Sequence, residues 1–248
     1  MSNLNPKSKY HRFLDEAGDT TFYGKRRVPI LGTQGVSKYF LLGMLTINEP
    51  IGSVRERIID LQNKVINDNY YYKIRSIQKK KSKSGYFFHA TDDIPEVRKL
   101  VFEFINSIDC KFDVVVGEKD YNIYEKKHNG NQAEFYGDML SILLHENLVL
   151  YDNLVLNIAS RSRCTTQSNL DRGLQKALLI SKNKFPHLNN SCKIAFNVQH
   201  PTIEPIINIT DYFLWSIQRM VEREEDRYFD FIKKNINGIK YLYQKELP

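Results

Sequence analysis

The sequence predicts an α/β fold with a mixed central sheet flanked by helices. Three observations predict it. Residues 38–47 form a near-continuous apolar run of strand length, as expected for a strand buried on both faces. From Phe112 onward, apolar runs of strand length alternate with segments of helical periodicity, which implies parallel strands joined by crossover helices. The opening half is rich in strands, so the sheet is expected to be mixed rather than wholly parallel. At 248 residues, 42% of them hydrophobic, the chain can bury a sizeable core. A single domain over 1–248 is expected, with an insertion at about 51–110.

Each element has its own warrant. Residues 1–9 are polar. Tyr10 to about Glu16 reads as the first strand, and Thr21–Tyr23 as the start of a return strand. Gly24-Lys25-Arg26-Arg27 reads as a basic turn. Asn48-Glu49-Pro50 stops the second strand. Ile51 to about Asn69 then reads as a helix, because Val54, Ile58, Leu61, Val65 and Ile66 recur at helical spacing. Pro95 to about Ile108 reads as another, with Val97, Leu100, Val101, Phe104 and Ile105 on one face. Phe112–Gly117, Asn153–Ala159 and Lys193–Val198 read as strands. Helices are expected at Asn131 to about Asn147, Asn169 to about Asn183 and Pro205 to about Glu225, followed by a short aromatic tail helix.

Composition narrows the classes of partner. Lys and Arg number 36 against 29 Asp and Glu, a formal net charge of +7 that favours polyanions. The three cysteines, Cys110, Cys164 and Cys192, are scattered. They form neither a metal-ligand spacing nor a disulfide framework, so a reducing cytoplasm is the expected setting. No apolar run approaches the ~20 residues that span a bilayer, and the N-terminus lacks a signal-peptide core, so no membrane association is expected.

The chemistry is expected to lie with acids set in apolar surroundings. Phe13-Leu14-Asp15-Glu16-Ala17-Gly18-Asp19 places three acids at the end of the first strand. Asp211 lies within the largely apolar Ile209-Thr210-Asp211-Tyr212-Phe213-Leu214-Trp215. A buried carboxylate is costly unless it is paired or ligates a metal. Glu134 falls in the first turn of its helix, with Asp138 one turn later on the same face. Magnesium takes oxygen ligands, usually a few carboxylates with water and phosphate. Asp15, Glu134 and Asp211 are the candidate ligands for Mg2+ or Mn2+, with Glu16 completing the shell and His89 as a water-orienting or proton-transferring group. Plainer readings stand beside these. Asp15 and Glu16 suit a turn, Asp211 a structural ion pair with Arg219 or Arg223, Glu134 the helix dipole, and His89 a core position.

Nucleic acid, RNA or DNA, is the expected partner. Lys73, Arg75, Lys79, Lys80, Lys81 and Lys83 lie among serines just after Tyr70, Tyr71 and Tyr72, and are expected to form a basic loop. Phosphates are held by Lys and Arg, and bases stack on aromatic rings. Lys79, Lys80 and Lys81, with Arg161 and Arg163 past the fourth strand, are the candidate phosphate contacts; a solvated charged face is the alternative. The aromatic stretch Tyr228, Phe229, Phe231, Tyr241 and Tyr243 fits either an oligomer or partner-protein contact or a cover over the sheet.

The order of elements and acids resembles the ribonuclease H-like nucleases: three strands, then helix, strand, helix, strand, helix. In that fold, acids come from the first strand, the first helix, the fourth strand and the last helix. The chain also resembles the prokaryotic family catalogued as domain of unknown function 3800. The matching pieces are Leu14-Asp15-Glu16-Ala17-Gly18-Asp19, His89-Ala90 before Asp92 and Asp93, Glu134-Phe135-Tyr136-Gly137, and Ile209–Trp215 with Arg219 and Glu222. The pattern covers nearly the whole chain. The resemblance implies a metal-dependent nuclease, in anti-phage defence or on a mobile element. The fourth strand departs from the pattern: Leu154–Ser160 offers Asn157 and Ser160 where an acid is expected. That departure leaves open a non-catalytic nucleic-acid-binding or assembly module on a nuclease-like scaffold.

Overall fold

A computed structural model describes residues 9–33, 35–83, 85–160, 166–187 and 192–243. Six strands form one mixed sheet: β1 (Tyr10–Ala17), β2 (Tyr39–Ile47), β3 (Cys110–Glu118), β4 (Asn153–Ala159), β5 (Lys193–Gln199) and β6 (Ile236–Tyr241). Their order is β5-β4-β1-β2-β3-β6. β2 runs antiparallel to both β1 and β3, whereas β4 lies parallel to β1 and to β5, and β6 parallel to β3. The mixed sheet follows the sequence reading.

Two helical layers cover the sheet. On one face lie α1 (Ile51–Asn67), α2 (Arg75–Lys83), α3 (Pro95–Ser107), α8 (Ile206–Arg223) and α9 (Arg227–Ile232). They bury Phe13, Leu41, Leu45, Phe112 and Val114 from the strands. On the other lie α4 (Tyr121–His128), α5 (Gln132–Leu144), α6 (Asn147–Leu150) and α7 (Gln167–Lys184), over Leu14, Phe40, Leu42, Val115 and Leu156. Because strand side chains alternate, neighbours in sequence go to opposite layers. Asp15 therefore shares the α8 face with Phe13 and Ala17, and Glu16 shares the α5–α7 face with Leu14.

Four expectations need correction. The basic segment expected as a loop is largely helix α2, amphipathic about the buried Ile77. The Thr21–Tyr23 return strand reduces to one bridge, Tyr23 to Pro29. Helix α4 had no expected counterpart; Asp120 caps it by accepting the Ile123 N–H at 2.9 Å, and Asn129 ends it in the left-handed region. Strand β6 follows α9 where only a tail helix was expected. Among the described residues no helix is long and apolar enough to cross a membrane.

Candidate functional site

Asp15 and Asp211, from opposite ends of the sequence, line one cleft of about 160 Å³. His89, Ser160, His200 and Asn208 share its walls. The cleft opens where β1, β4 and β5 reach their carboxyl ends, since Ala159 ends β4 and His200 follows β5. Open α/β sheets place ligand sites at such ends. Asp15 is held in a buried backbone setting, and its Oδ1 accepts the Glu16 N–H at 2.8 Å.

One wall is fixed by α8. Asn208, Asp211 and Tyr212 lie on one helical face at i, i+3 and i+4. Each grips the segment before α3. Phe88 N–H donates to Asn208 Oδ1 at 2.7 Å, and Ala90 N–H to Asp211 Oδ2 at 2.7 Å. The Tyr212 hydroxyl donates to Asp93 Oδ2 at 2.7 Å, and that carboxylate also accepts His89 N–H at 2.8 Å. Burial and the neighbouring Asp93 carboxylate push the Tyr212 phenol well above its ordinary range, so it stays a donor. Between these anchors the His89 ring stands at the cleft, with Nε2 3.9 Å from Asp211 Oδ1 and Nδ1 3.5 Å from Asp92 Oδ2.

The other sequence candidates lie elsewhere. Glu134 does not line this cleft; its carboxylate pairs with Arg172 and with Lys176, the latter at 2.7 Å. Hydrogen bonding from Lys176 holds the Glu134 carboxyl below the ordinary carboxylate range. Asp138 shares Lys176 and lies 3.3 Å from His128 Nδ1. The metal-ligand role expected for Glu134 thus meets a competing structural role, and Glu16 faces the wrong layer to join Asp15. Asn157 on β4 is also committed. It donates to the Arg12 carbonyl at 3.2 Å and accepts Asn197 and Gln199 amides at 3.1 Å each.

The candidate phosphate contacts divide. Lys79 and Lys81 are exposed on α2. Lys80 is instead turned inward, donating to Asp93 Oδ1 at 2.9 Å and to the Phe87 carbonyl at 3.2 Å. Its expected role on phosphate is corrected to a structural one, because the buried Asp93 carboxylate needs a cation. Arg161 and Arg163 lie outside the described residues.

Sequence reasoning missed Asn208 and His200, and noted Ser160 only as standing where an acid was expected. Asn208 carried the same signal as Asp211, a polar residue amid Ile206, Ile207 and Ile209. Ser160 and His200 each stand one residue past a parallel strand, where such sites form.

No family model matches the chain, and no curated protein is similar to it at a significant level. Among the described residues no group of three or more His, Cys, Asp or Glu is gathered tightly enough to hold a metal by itself. Two carboxylates in one cleft still suit magnesium, which keeps several waters and takes one or two carboxylates plus substrate phosphate.

Proposed function

We propose that the protein is a divalent-metal-dependent phosphodiesterase that cuts RNA or DNA. The observation that carries this reading is the convergence of Asp15, Asp211 and His89 on one cleft at the carboxyl ends of β1, β4 and β5. The ribonuclease H-like reading is supported by the element order. With α1–α3, the short helices α4, α6 and α9, and the edge strand β6 set aside, three strands are followed by helix, strand, helix, strand and helix, with β1 between β2 and β4.

Asp15 and Asp211 would hold Mg2+ or Mn2+, which when bound supplies Lewis-acid stabilisation of charge on the phosphodiester. The chain's own groups do the rest. Asp211 uses one oxygen to fix Ala90 and turns the other toward His89. His89 is positioned to take a proton from an attacking water. Ser160 and His200 bound the space in which the strand lies. The exposed Lys79 and Lys81, on the helix that Lys80 anchors beside His89, hold the flanking backbone.

The test is cleavage of single- and double-stranded RNA and DNA with magnesium or manganese. Wild type is expected to cut and Asp15→Asn to fail; equal behaviour of the two on every substrate would end the enzyme reading. A second reading, a non-catalytic nucleic-acid-binding module, is favoured by the commitment of Glu134 to Arg172 and Lys176 and by Asn157 on β4. It expects binding that survives both chelator and the loss of Asp15.

A further inference from the structure

A second, larger cleft of about 470 Å³ lies beside the acid site, between the β1–β2 loop and the C-terminal half of α8. The elements that shape the acid site run directly into it. After Asp15 the chain enters the cleft at Gly18 and Asp19, after Ala90 at Thr91, and one helical turn beyond Asp211 at Trp215. A polymer lying across Asp15 and Asp211 would therefore continue into this space.

The charges of the cleft are mostly spoken for. Asp19 accepts Ser37 N–H at 3.0 Å and Thr21 N–H at 2.7 Å, and faces the buried Lys119 at 3.3 Å. Glu222 accepts Tyr39 N–H at 2.9 Å. Arg219 pairs with Glu225 at 2.6 Å and lies over the Trp215 ring. Arg223 and Gln218 also line the cleft, and among the described residues neither makes a side-chain hydrogen bond or an ion pair. Among the described residues the cleft thus offers one cation and one amide, able to donate and accept, that no other side chain engages, beside the Trp215 ring. Two guanidinium groups lie over that ring, Arg98 at 5.1 Å and Arg219 at 4.6 Å. That set suits one phosphate and one base edge.

We propose that this cleft holds an unpaired nucleotide next to the phosphate that is cut, its phosphate on Arg223 and its base edge toward Gln218 and Trp215. The inference rests on the nuclease reading and adds a substrate class to it. A cleft of about 470 Å³ is the size of a small-molecule site, and an unpaired base is the one whose edge Gln218 and Trp215 could read, so the proposed substrate is single-stranded at this position.

Trp215 is the only tryptophan of the chain, so tryptophan emission comes from a single residue in the wall of this cleft. The full chain is titrated in chelator with a single-stranded oligonucleotide and, separately, with a blunt duplex of the same sequence. The single strand is expected to change Trp215 emission and the duplex to leave it unchanged. Arg223→Ala should raise the titration midpoint by about tenfold or more, the loss of one charge-assisted phosphate contact, and Gln218→Ala by less. Circular dichroism checks that both variants fold. An Arg223→Ala midpoint equal to wild type, or the same response to duplex and single strand, overturns the inference. The two readings separate through Asp15→Asn. Cleavage that depends on Asp15, without an Arg223-dependent emission change, removes the nucleotide cleft and leaves the nuclease. An Arg223-dependent change without cleavage of any substrate removes the nuclease and leaves a nucleotide site.

Discussion

The imidazole Nε2 of His89 lies 3.9 Å from Oδ1 of Asp211, while Oδ2 of the same carboxylate accepts the Ala90 N–H at 2.7 Å. One side chain therefore serves both the backbone beside the histidine and the histidine itself. The two roles come apart by substitution. Asp211→Asn keeps an oxygen for the Ala90 N–H and removes the charge. It is expected to lower cleavage by about a hundredfold or more with a melting temperature near that of wild type. Asp211→Ala also strands the Ala90 N–H, and should cost about 1–3 kcal/mol in denaturant unfolding. Equal loss of stability in both variants would assign Asp211 to structure alone.

Three consecutive lysines on α2 should behave as two kinds of residue. Lys80 has a side chain only 10% exposed, against an Asp93 carboxylate that is 2% exposed. Removing it leaves Asp93 with donors but no cation. Lys80→Ala is expected to destabilise the fold by roughly 1–3 kcal/mol. Lys79→Ala and Lys81→Ala should change stability by less than about 0.5 kcal/mol. Each should instead reduce the salt dependence of nucleic-acid binding by about one phosphate contact. Binding isotherms over a salt series, beside urea melts, check both halves.

This division marks what was legible in the sequence. Strands β1 to β4 and helix α8 were readable because each is a long apolar run or a sustained helical stripe, and the edge strand β5 because it continues the alternation of strands and helices after Phe112. Strand β6 was not, because it is a half-exposed edge strand containing Asn237, Gly238 and Lys240, paired only to β3 across a large gap in sequence. The Asp15–Asp211 convergence was readable because acids in apolar runs need a reason to be there. The fate of Glu134 and Lys80 was not, because their partners, Lys176 and Asp93, are brought to them only by packing. The layers that receive Asp15 and Glu16 follow from strand alternation once the core side of Phe13 is known, which needs α8 in place.

Glu134 provides a direct contrast with Asp15. Its carboxylate links α5 to Arg172 and Lys176 of α7 at a partly exposed position. Glu134→Gln should therefore cost no more than about 1 kcal/mol of stability and leave cleavage within a few-fold of wild type. Urea unfolding and a cleavage time course on the same preparation measure the two effects. Loss of cleavage comparable to that of Asp15→Asn, with unchanged stability, would return Glu134 to the proposed metal-ligand set.

The β1–β2 loop should carry an acid-sensitive part of the stability. Burial raises the Asp19 carboxyl, but hydrogen bonds from Ser37 and Thr21 and the charge of Lys119 outweigh it, so the group sits below its ordinary value. A carboxyl held lower in the folded state stabilises the fold once pH exceeds its unfolded value, about 4. That contribution is present at neutral pH and is lost as pH falls through the lower folded value. Asp19→Asn keeps one oxygen for the Ser37 or Thr21 N–H but cannot attract Lys119. Wild type should thus exceed Asp19→Asn in stability at pH 7, and the difference should shrink steadily once the pH drops below about 4. Urea melts of both proteins across an acid series measure it. A difference that is constant with pH would show that Asp19 acts through its shape and hydrogen bonds rather than its charge.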